Sequence, residues 1–144
     1  MWKHLVSTLE NNSRFESPAR KLDIDNAEKL LNVSFPRQLQ ECLQEANGIY
    51  GEYDLGLVWP LDKIVHTNLQ FRQSPNYKQL YMPFDSLLFF ADAGNGDQFA
   101  FPIQAEQIRR DDVFVWNHED DSRFWVAPDL EKYIEWQLTG KIST

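Results

Sequence analysis

The chain has few of the residues that cross-link a protein or hold it in a membrane. Its 144 residues include one cysteine, Cys42, so no intramolecular disulfide can form. A lone thiol is typical of a reducing compartment, and we predict a cytoplasmic protein. No stretch approaches the roughly 18 consecutive apolar residues of a transmembrane helix. Lys3 and His4 interrupt the first apolar residues, which argues against a secretory signal. The sequence therefore predicts a soluble protein.

Basic residues are also scarce, since 14 Lys and Arg stand against 22 Asp and Glu, a formal net charge of −8. This deficit disfavours nucleic acid as a direct ligand, because phosphates repel such a surface. Residues 73–144 hold 6 basic and 12 acidic residues, or −6 of the total. The most acidic stretch, residues 111–121, contains no Lys or Arg and five acids: Asp111, Asp112, Glu119, Asp120 and Asp121. These five acids can be solvated loop residues that flank a strand, or a surface for a basic partner.

Size and composition indicate one ordinary domain. The chain is 42% hydrophobic and 14% aromatic, which is too apolar for a disordered protein. A chain of this length buries roughly 68–70% of the surface that it exposes when unfolded. We expect a single domain over residues 1–144, stable without metal or disulfide.

Apolar residues spaced by three and four predict short amphipathic helices. Residues 70–79 are polar and are predicted to form a loop. The expected helices lie at residues 2–9, at 27–32 with Asp25 as N-cap, at 36–46 with Ser34 as cap and Pro36 in the first turn, from Pro60 to 69, and from 129 to 138.

The second half changes to strand patterns. Two apolar runs, residues 87–93 and 98–103, are separated by Gly94-Asn95-Gly96-Asp97, a sequence typical of a hairpin turn. Residues 112–117 and 122–127 form a second predicted hairpin around the acidic turn 118–121, and residues 54–59 form another strand. The predicted fold is α+β, with a mainly antiparallel sheet of about four to six strands flanked by helices.

Catalytic and metal chemistry find little support. Cys42 shares a helical face with Leu39 and Leu43, so a buried thiol is favoured over a nucleophile paired with a histidine. A metal site could draw on His118, Asp120 and Asp121, but no second ligand cluster has recognisable zinc spacing. There is no GxxxxGK[ST], GxGxxG or GxSxG motif. We predict no catalytic residue, no cofactor and no metal.

The segment 92–97 has some features of a calcium-binding loop. Counted from Asp92, however, positions three and five are Gly94 and Gly96, where side-chain oxygens are required. Position twelve is Ile103, where a bidentate Glu belongs. A hairpin turn explains these residues better.

Seven aromatic residues lie in or beside the predicted strands. They can form a thick aromatic core, or some can reach the surface as anchors of an interface beside carboxylates. Trp116 and Trp125 flank the acidic turn and are the preferred surface anchors. The seven are Trp59, Phe89, Phe90, Phe101, Trp116, Phe124 and Trp125.

Three segments together resemble the SUKH superfamily, named with the yeast cell-wall-synthesis regulator. They are VSFPRQLQECLQEANG (33–48), LLFFADAGNGDQFAF (87–101) and VFVWNHEDD (113–121). With a terminal amphipathic helix, they follow the order of the family pattern over roughly residues 25–140. One departure is Phe101-Pro-Ile103, where many members have an Asp. The resemblance implies an α+β fold without catalysis and, for small bacterial members, immunity proteins that neutralise polymorphic toxins, often nucleases.

We therefore predict an immunity protein, not an enzyme, that blocks the basic surface of a toxin domain encoded by the adjacent gene. We expect no nucleic acid or membrane partner, and a monomer or weak dimer. The alternative is an intracellular regulatory scaffold, as the eukaryotic relatives suggest, and a small hydrolase using His118 is the least favoured interpretation. The predicted partner-binding residues are Asp92, Asn95, Asp97, Trp116, His118, Glu119, Asp120, Asp121 and Trp125.

Overall fold

The computed structural model describes residues 1–143, in which two antiparallel sheets pack with six α-helices. The predicted α+β class is confirmed, and the strands divide into sheets of three and four. The helices are α1 (Trp2–Leu9), α2 (Lys21–Leu31), α3 (Arg37–Glu45), α4 (Leu61–Gln73), α5 (Pro75–Leu80) and α6 (Leu130–Leu138). The smaller sheet contains β1 (Arg14–Phe15), β2 (Ile49–Tyr50) and β3 (Gly56–Val58). The larger contains β4 (Leu87–Asp92), β5 (Gln98–Pro102), β6 (Val113–Trp116) and β7 (Arg123–Ala127).

The larger sheet consists of the two predicted hairpins side by side, in the order β4-β5-β6-β7. Asp92 pairs with Gln98 at the end of the first hairpin, and Trp116 pairs with Arg123 at the end of the second. Between the two hairpins, Gln98 at the start of β5 lies opposite Trp116 at the end of β6. The two hairpin turns therefore lie at the same end of the molecule.

The core lies on both faces of β4, whose first five residues are all buried. Phe90 stacks on Phe101 with ring centroids 4.4 Å apart, and the edge of Tyr133 from α6 meets Phe90 at 5.2 Å. The Tyr133 hydroxyl donates to the Leu57 carbonyl at 2.9 Å, which ties α6 to the smaller sheet. Burying one such aromatic side chain stabilises the fold by about 1.5–3 kcal/mol.

Two helix starts differ from the predictions. The predicted N-cap Asp25 lies inside α2, where it pairs with Lys21, and the N-cap is Arg20. The Asp23 carboxylate accepts a hydrogen bond from the Arg20 amide at 3.2 Å, and this cap explains the earlier start. In α3 the N-cap is Pro36 itself, so the predicted cap Ser34 lies outside the helix.

The predicted loop 70–79 is wrong, because α4 continues to Gln73 and α5 follows from Pro75. Ser74 caps α5 by accepting a hydrogen bond from the Tyr77 amide. Phe71 and Tyr77 then pack edge to face at 5.0 Å between ring centroids. This aromatic contact stabilises the two helices. The apolar spacing used to predict helices cannot detect it, because the segment is otherwise polar. In residues 1–143 we find no helix with the length and apolarity needed to cross a bilayer.

Candidate partner-binding site

The two hairpin turns of the larger sheet are joined by one acid–histidine contact. The Asp97 carboxylate lies 2.6 Å from Nδ1 of His118, and the same oxygen accepts a hydrogen bond from the His118 amide at 3.1 Å. Asp97 is only 5% exposed, whereas the His118 side chain remains partly exposed. Asp97 therefore fixes the position of the second turn and is not a free charge for a partner.

Gly96 allows this contact because it has no side chain. Its φ of +95° lies in the region that favours glycine, and a Cβ built there would stand 2.7 Å from Cε1 of His118. The His118 ring thus packs directly against the first turn. The Gly-rich turn predicted from the sequence has a packing function as well as a conformational one.

A third loop, residues 52–55, adjoins the first turn. A Cβ at Gly94 would lie 3.4 Å from Leu55, which is ordinary van der Waals contact. Tyr53 in this loop has a φ of +60° and is 94% exposed. The predicted strand over residues 54–59 is too long, because β3 begins at Gly56 and residues 54 and 55 belong to this loop. Sequence reasoning missed the loop because it is distant in the chain from the two turns and carries no motif.

These three loops make up what we call the turn surface: residues 52–55, 93–97 and 117–122. None of the three loops contains Lys or Arg. Asp54 pairs at 3.3 Å with Arg14, which lies outside the loops. Arg123, which also lies outside the loops, pairs with Asp121. Glu52, Glu119 and Asp120 therefore supply most of the negative field of this surface. Its six acids are Glu52, Asp54, Asp97, Glu119, Asp120 and Asp121.

Asp121, predicted as a partner contact, is a structural anchor. Its carboxylate accepts hydrogen bonds from the Met82 amide, the Trp116 indole and Arg123, at 2.8, 2.8 and 3.1 Å. Partial burial acts to raise the pKa of Asp121, but these three donors outweigh burial and lower it. Asp121 therefore holds the second turn against the segment that precedes β4.

The expectation that Trp116 is an exposed anchor is wrong. Trp116 is 3% exposed and meets the rings of Tyr81 and Phe84, each with a centroid separation of 5.2 Å. Asp92 is likewise engaged, because it accepts from the Trp59 indole at 2.9 Å and lies 3.5 Å from Lys63. For Trp116 the aromatic core, which was the other interpretation of the sequence, is the correct one.

The other predicted residues remain accessible. Asn95, Glu119 and Asp120 are exposed, and Trp125 is 51% exposed. Ser122 donates from its hydroxyl and its amide to Asp120, which lowers the pKa of that carboxyl and keeps it charged. These residues can contact a partner without first breaking the fold.

The residues considered for catalysis lie apart. Cys42 is fully buried, and burial raises the pKa of its thiol well above the usual range, as expected for a core residue. Within residues 1–143 no group of three or more His, Cys, Asp and Glu side chains is arranged to hold a metal ion. The site offers charge and contact area.

A groove of about 920 Å³ lies between α2 and α4 and was not predicted. Leu61 and Val65 line it together with Asp23 and Asp62. The two helices that form it are distant in the chain, since α2 ends at Leu31 and α4 begins at Leu61, so no local motif marks the groove. Arg20 pairs with Asp23 at 3.0 Å, so the negative charge of the groove is partly neutralised. The turn surface is therefore the stronger candidate for a basic partner.

Comparison with known families places the fold. Residues 21–134 match the model of the SUKH_6 family, described as SMI1-KNR4 cell-wall. This match covers most of the chain, and the chain belongs to the SUKH_6 family, as the resemblance suggested. The match includes β4–β7 and both hairpin turns. No curated protein matches the chain.

Proposed function

We propose that this chain is an immunity protein that binds a bacterial toxin domain and blocks its basic surface through the turn surface. Membership of the SUKH_6 family is compatible with this role, since the family's members are generally non-enzymatic immunity or regulatory proteins. The observation that carries the proposal is the turn surface itself, whose three adjoining loops contain no Lys or Arg and expose four acids: Glu52, Asp54, Glu119 and Asp120.

Charge matching gives the proposal its physical basis. A nuclease needs a basic surface to hold phosphates, and a carboxylate surface can occupy that surface in their place. Glu119 and Asp120 are exposed, so they can steer association and then pair with the toxin. A nuclease is therefore the class of toxin that fits best.

Rigidity supports the same proposal. The second turn is held by Asp97 through His118, and by Asp121 through Trp116, Met82 and Arg123. Exposed acids on a turn fixed at both ends lose little conformational freedom when they bind. Asp97 and Asp121 thus hold the turn in place, and Glu119 and Asp120 are free to contact the partner.

The test is co-expression with the product of the adjacent gene. We expect the chain to restore growth to cells that make that product and to co-purify with it in a fixed ratio. The variant Glu119→Lys/Asp120→Lys should lose protection, whereas Asp25→Lys/Glu41→Lys, with the same change of charge on α2 and α3, should retain it.

Two results would contradict the proposal. Cells that die whether or not the chain is present would exclude neutralisation of that product. Co-purification without any protection would instead favour the alternative function of a regulatory scaffold, which recruits a protein without blocking it.

A further inference from the structure

The two outer edges of the larger sheet differ. Along β4, the buried Asn68 amide accepts from the Phe89 N–H at 2.8 Å and donates to the Phe89 carbonyl at 2.9 Å. The Trp59 amide donates to the Phe90 carbonyl at 2.8 Å. These contacts use the backbone groups that another strand would need, so the β4 edge is closed.

The β7 edge is open. β7 is the last strand of its sheet, and in residues 1–143 the backbone of residues 124–126 bonds to no element besides β6. Asn117 donates to the Ser122 carbonyl at 2.9 Å, and bonded and non-bonded pairs alternate along an antiparallel ladder. The Phe114–Trp125 pair is therefore a non-bonded one, and the N–H and C=O of Trp125 point away from β6.

This open edge carries exposed aromatic residues. Phe124 is 61% exposed and Trp125 is 51% exposed, on opposite faces of the strand because successive side chains alternate. Proteins usually protect such an edge with charged residues, Pro, a β-bulge or a covering loop. β7 contains neither Lys nor Pro; its one charged residue, Arg123, and the register shift that leaves Val126 without a partner residue flank Phe124 and Trp125, which carry neither protection themselves.

Trp125 is held in place although half of it is exposed. Its indole donates to Asp112 at 3.2 Å, and its ring meets Trp136 of α6 edge to face, with centroids 6.3 Å apart. A fixed, partly exposed tryptophan loses little side-chain freedom on binding, which is typical of an interface anchor.

The charge around β7 indicates which kind of strand can pair with this edge. Residues 109–141 contain five bases, including Lys141 over the Trp136 ring at 4.6 Å, and eight acids, so this stretch carries 5 − 8 = −3 of the chain's net charge of −8. A second copy pairing two-fold about Trp125 would bring the acidic turn of one copy towards Asp129 and Glu131 of the other. Such like-charge approach is unfavourable, whereas a basic segment is attracted.

We propose that β7 is a docking edge at which an extended segment of a partner protein, apolar at its centre and basic at both ends, adds as a fifth strand. Backbone hydrogen bonds to Trp125 supply the pairing, and the aromatics of β7 contact alternate side chains of the added strand. The inference goes beyond toxin neutralisation, because it concerns how a partner docks, whatever activity that partner has.

The test titrates the ¹⁵N-labelled chain with two nine-residue peptides at about 50 mM salt. Both have Val-Ile-Val-Ile-Val at the centre, one with two lysines at each end and the other with two glutamates. We expect the lysine peptide to shift the amides of residues 123–126, to slow their hydrogen exchange, and to bind at least tenfold more tightly than the glutamate peptide. Phe124→Ala should weaken binding about fivefold, and Leu30→Ala, at an equally exposed apolar position on α2, should leave it unchanged.

Four outcomes would overturn the proposal. They are no saturable binding of the lysine peptide, equal binding of both peptides, shifts centred outside β7, and protection of β7 amides that depends on the concentration of the chain alone. The last would identify a second copy as the occupant. None of them bears on whether the chain protects cells, so this test and that of the proposed function can fail separately.

Discussion

Removing the Asp97 carboxylate should loosen the junction between the two hairpin turns. Asp97→Ala deletes both hydrogen bonds to His118, one from its amide and one at its ring. His118→Ala deletes only the contact at the ring and leaves the backbone bond in place. The two variants therefore separate the contributions of two bonds to one carboxylate oxygen.

The magnitudes follow from the partners. A hydrogen bond to a charged group contributes about 1.5–3 kcal/mol to stability. We take the lower value because the His118 ring is partly exposed, which gives a loss of about 3 kcal/mol for Asp97→Ala and about 1.5 kcal/mol for His118→Ala. The double variant should lose no more than Asp97→Ala alone, so the coupling free energy is about 1.5 kcal/mol.

Urea unfolding followed by tryptophan fluorescence measures these free energies. Asp111→Ala is the control, because Asp111 is exposed, and removing it should change stability by less than about 0.5 kcal/mol. A coupling free energy near zero, with Asp97→Ala no worse than the control, would refute the claim that this contact joins the turns.

Three further predictions test the surroundings of the site. The pKa of Asp121 is lowered in the folded state, so its carboxylate stabilises the fold above the unfolded pKa, and this stabilisation is lost as the pH falls through the folded pKa. In urea titrations Asp121→Asn should therefore have a lower free energy of unfolding than the unmodified chain at pH 7, and that free energy should fall less between about pH 5 and 2. Parallel curves of free energy against pH for the two proteins would contradict this. Cys42 is buried with a raised pKa, so a thiol reagent should label it only in denaturant, and rapid labelling of the folded chain would contradict its burial. Asn68→Ala should destabilise by about 2–5 kcal/mol in thermal or urea unfolding, because it leaves the N–H and C=O of Phe89 unpaired, and a loss below 1 kcal/mol would show that the β4 edge is satisfied otherwise.

Much of the fold could be predicted because its signals are local. Alternating apolar runs around Gly94–Asp97 predicted β4 and β5, and apolar spacing predicted α1 and α6 near their observed bounds and the start, but not the end, of α4. The strands β1 and β2 have two residues each, too few for any period to be visible. They exist because of pairing between segments distant in the chain, which single-sequence patterns do not contain.

The site was harder to predict because exposure depends on what covers each face. The register pairs Phe114 with Trp125 and Trp116 with Arg123, so both tryptophans lie on one face of the sheet. Tyr81 packs over Trp116, whereas Trp125 meets α6 at its edge and stays half exposed. Alternation along a strand identifies the face of a residue but not the loop that covers it.

The acids posed the same difficulty. Asp120 and Asp121 are neighbours in one turn, yet Asp120 is exposed and Asp121 is held by three donors. The left-handed φ of +61° at Asp121 turns its carboxylate towards Trp116 and Arg123. Composition predicted an acidic surface there, but the backbone geometry is needed to show that Asp121 holds the turn and that Asp120 is free to contact a partner.

The most direct test of the central claim is the association rate between this chain and the product of the adjacent gene, measured by stopped flow at increasing salt. If exposed turn carboxylates steer binding, Glu119→Lys/Asp120→Lys should associate at least tenfold more slowly at about 20 mM salt, and the difference should vanish near 1 M, where charges are screened beyond about 3 Å. Asp25→Lys/Glu41→Lys, which also shifts the net charge from −8 to −4, should slow association much less. Equal slowing by both pairs, or a rate that salt does not change, would contradict the account.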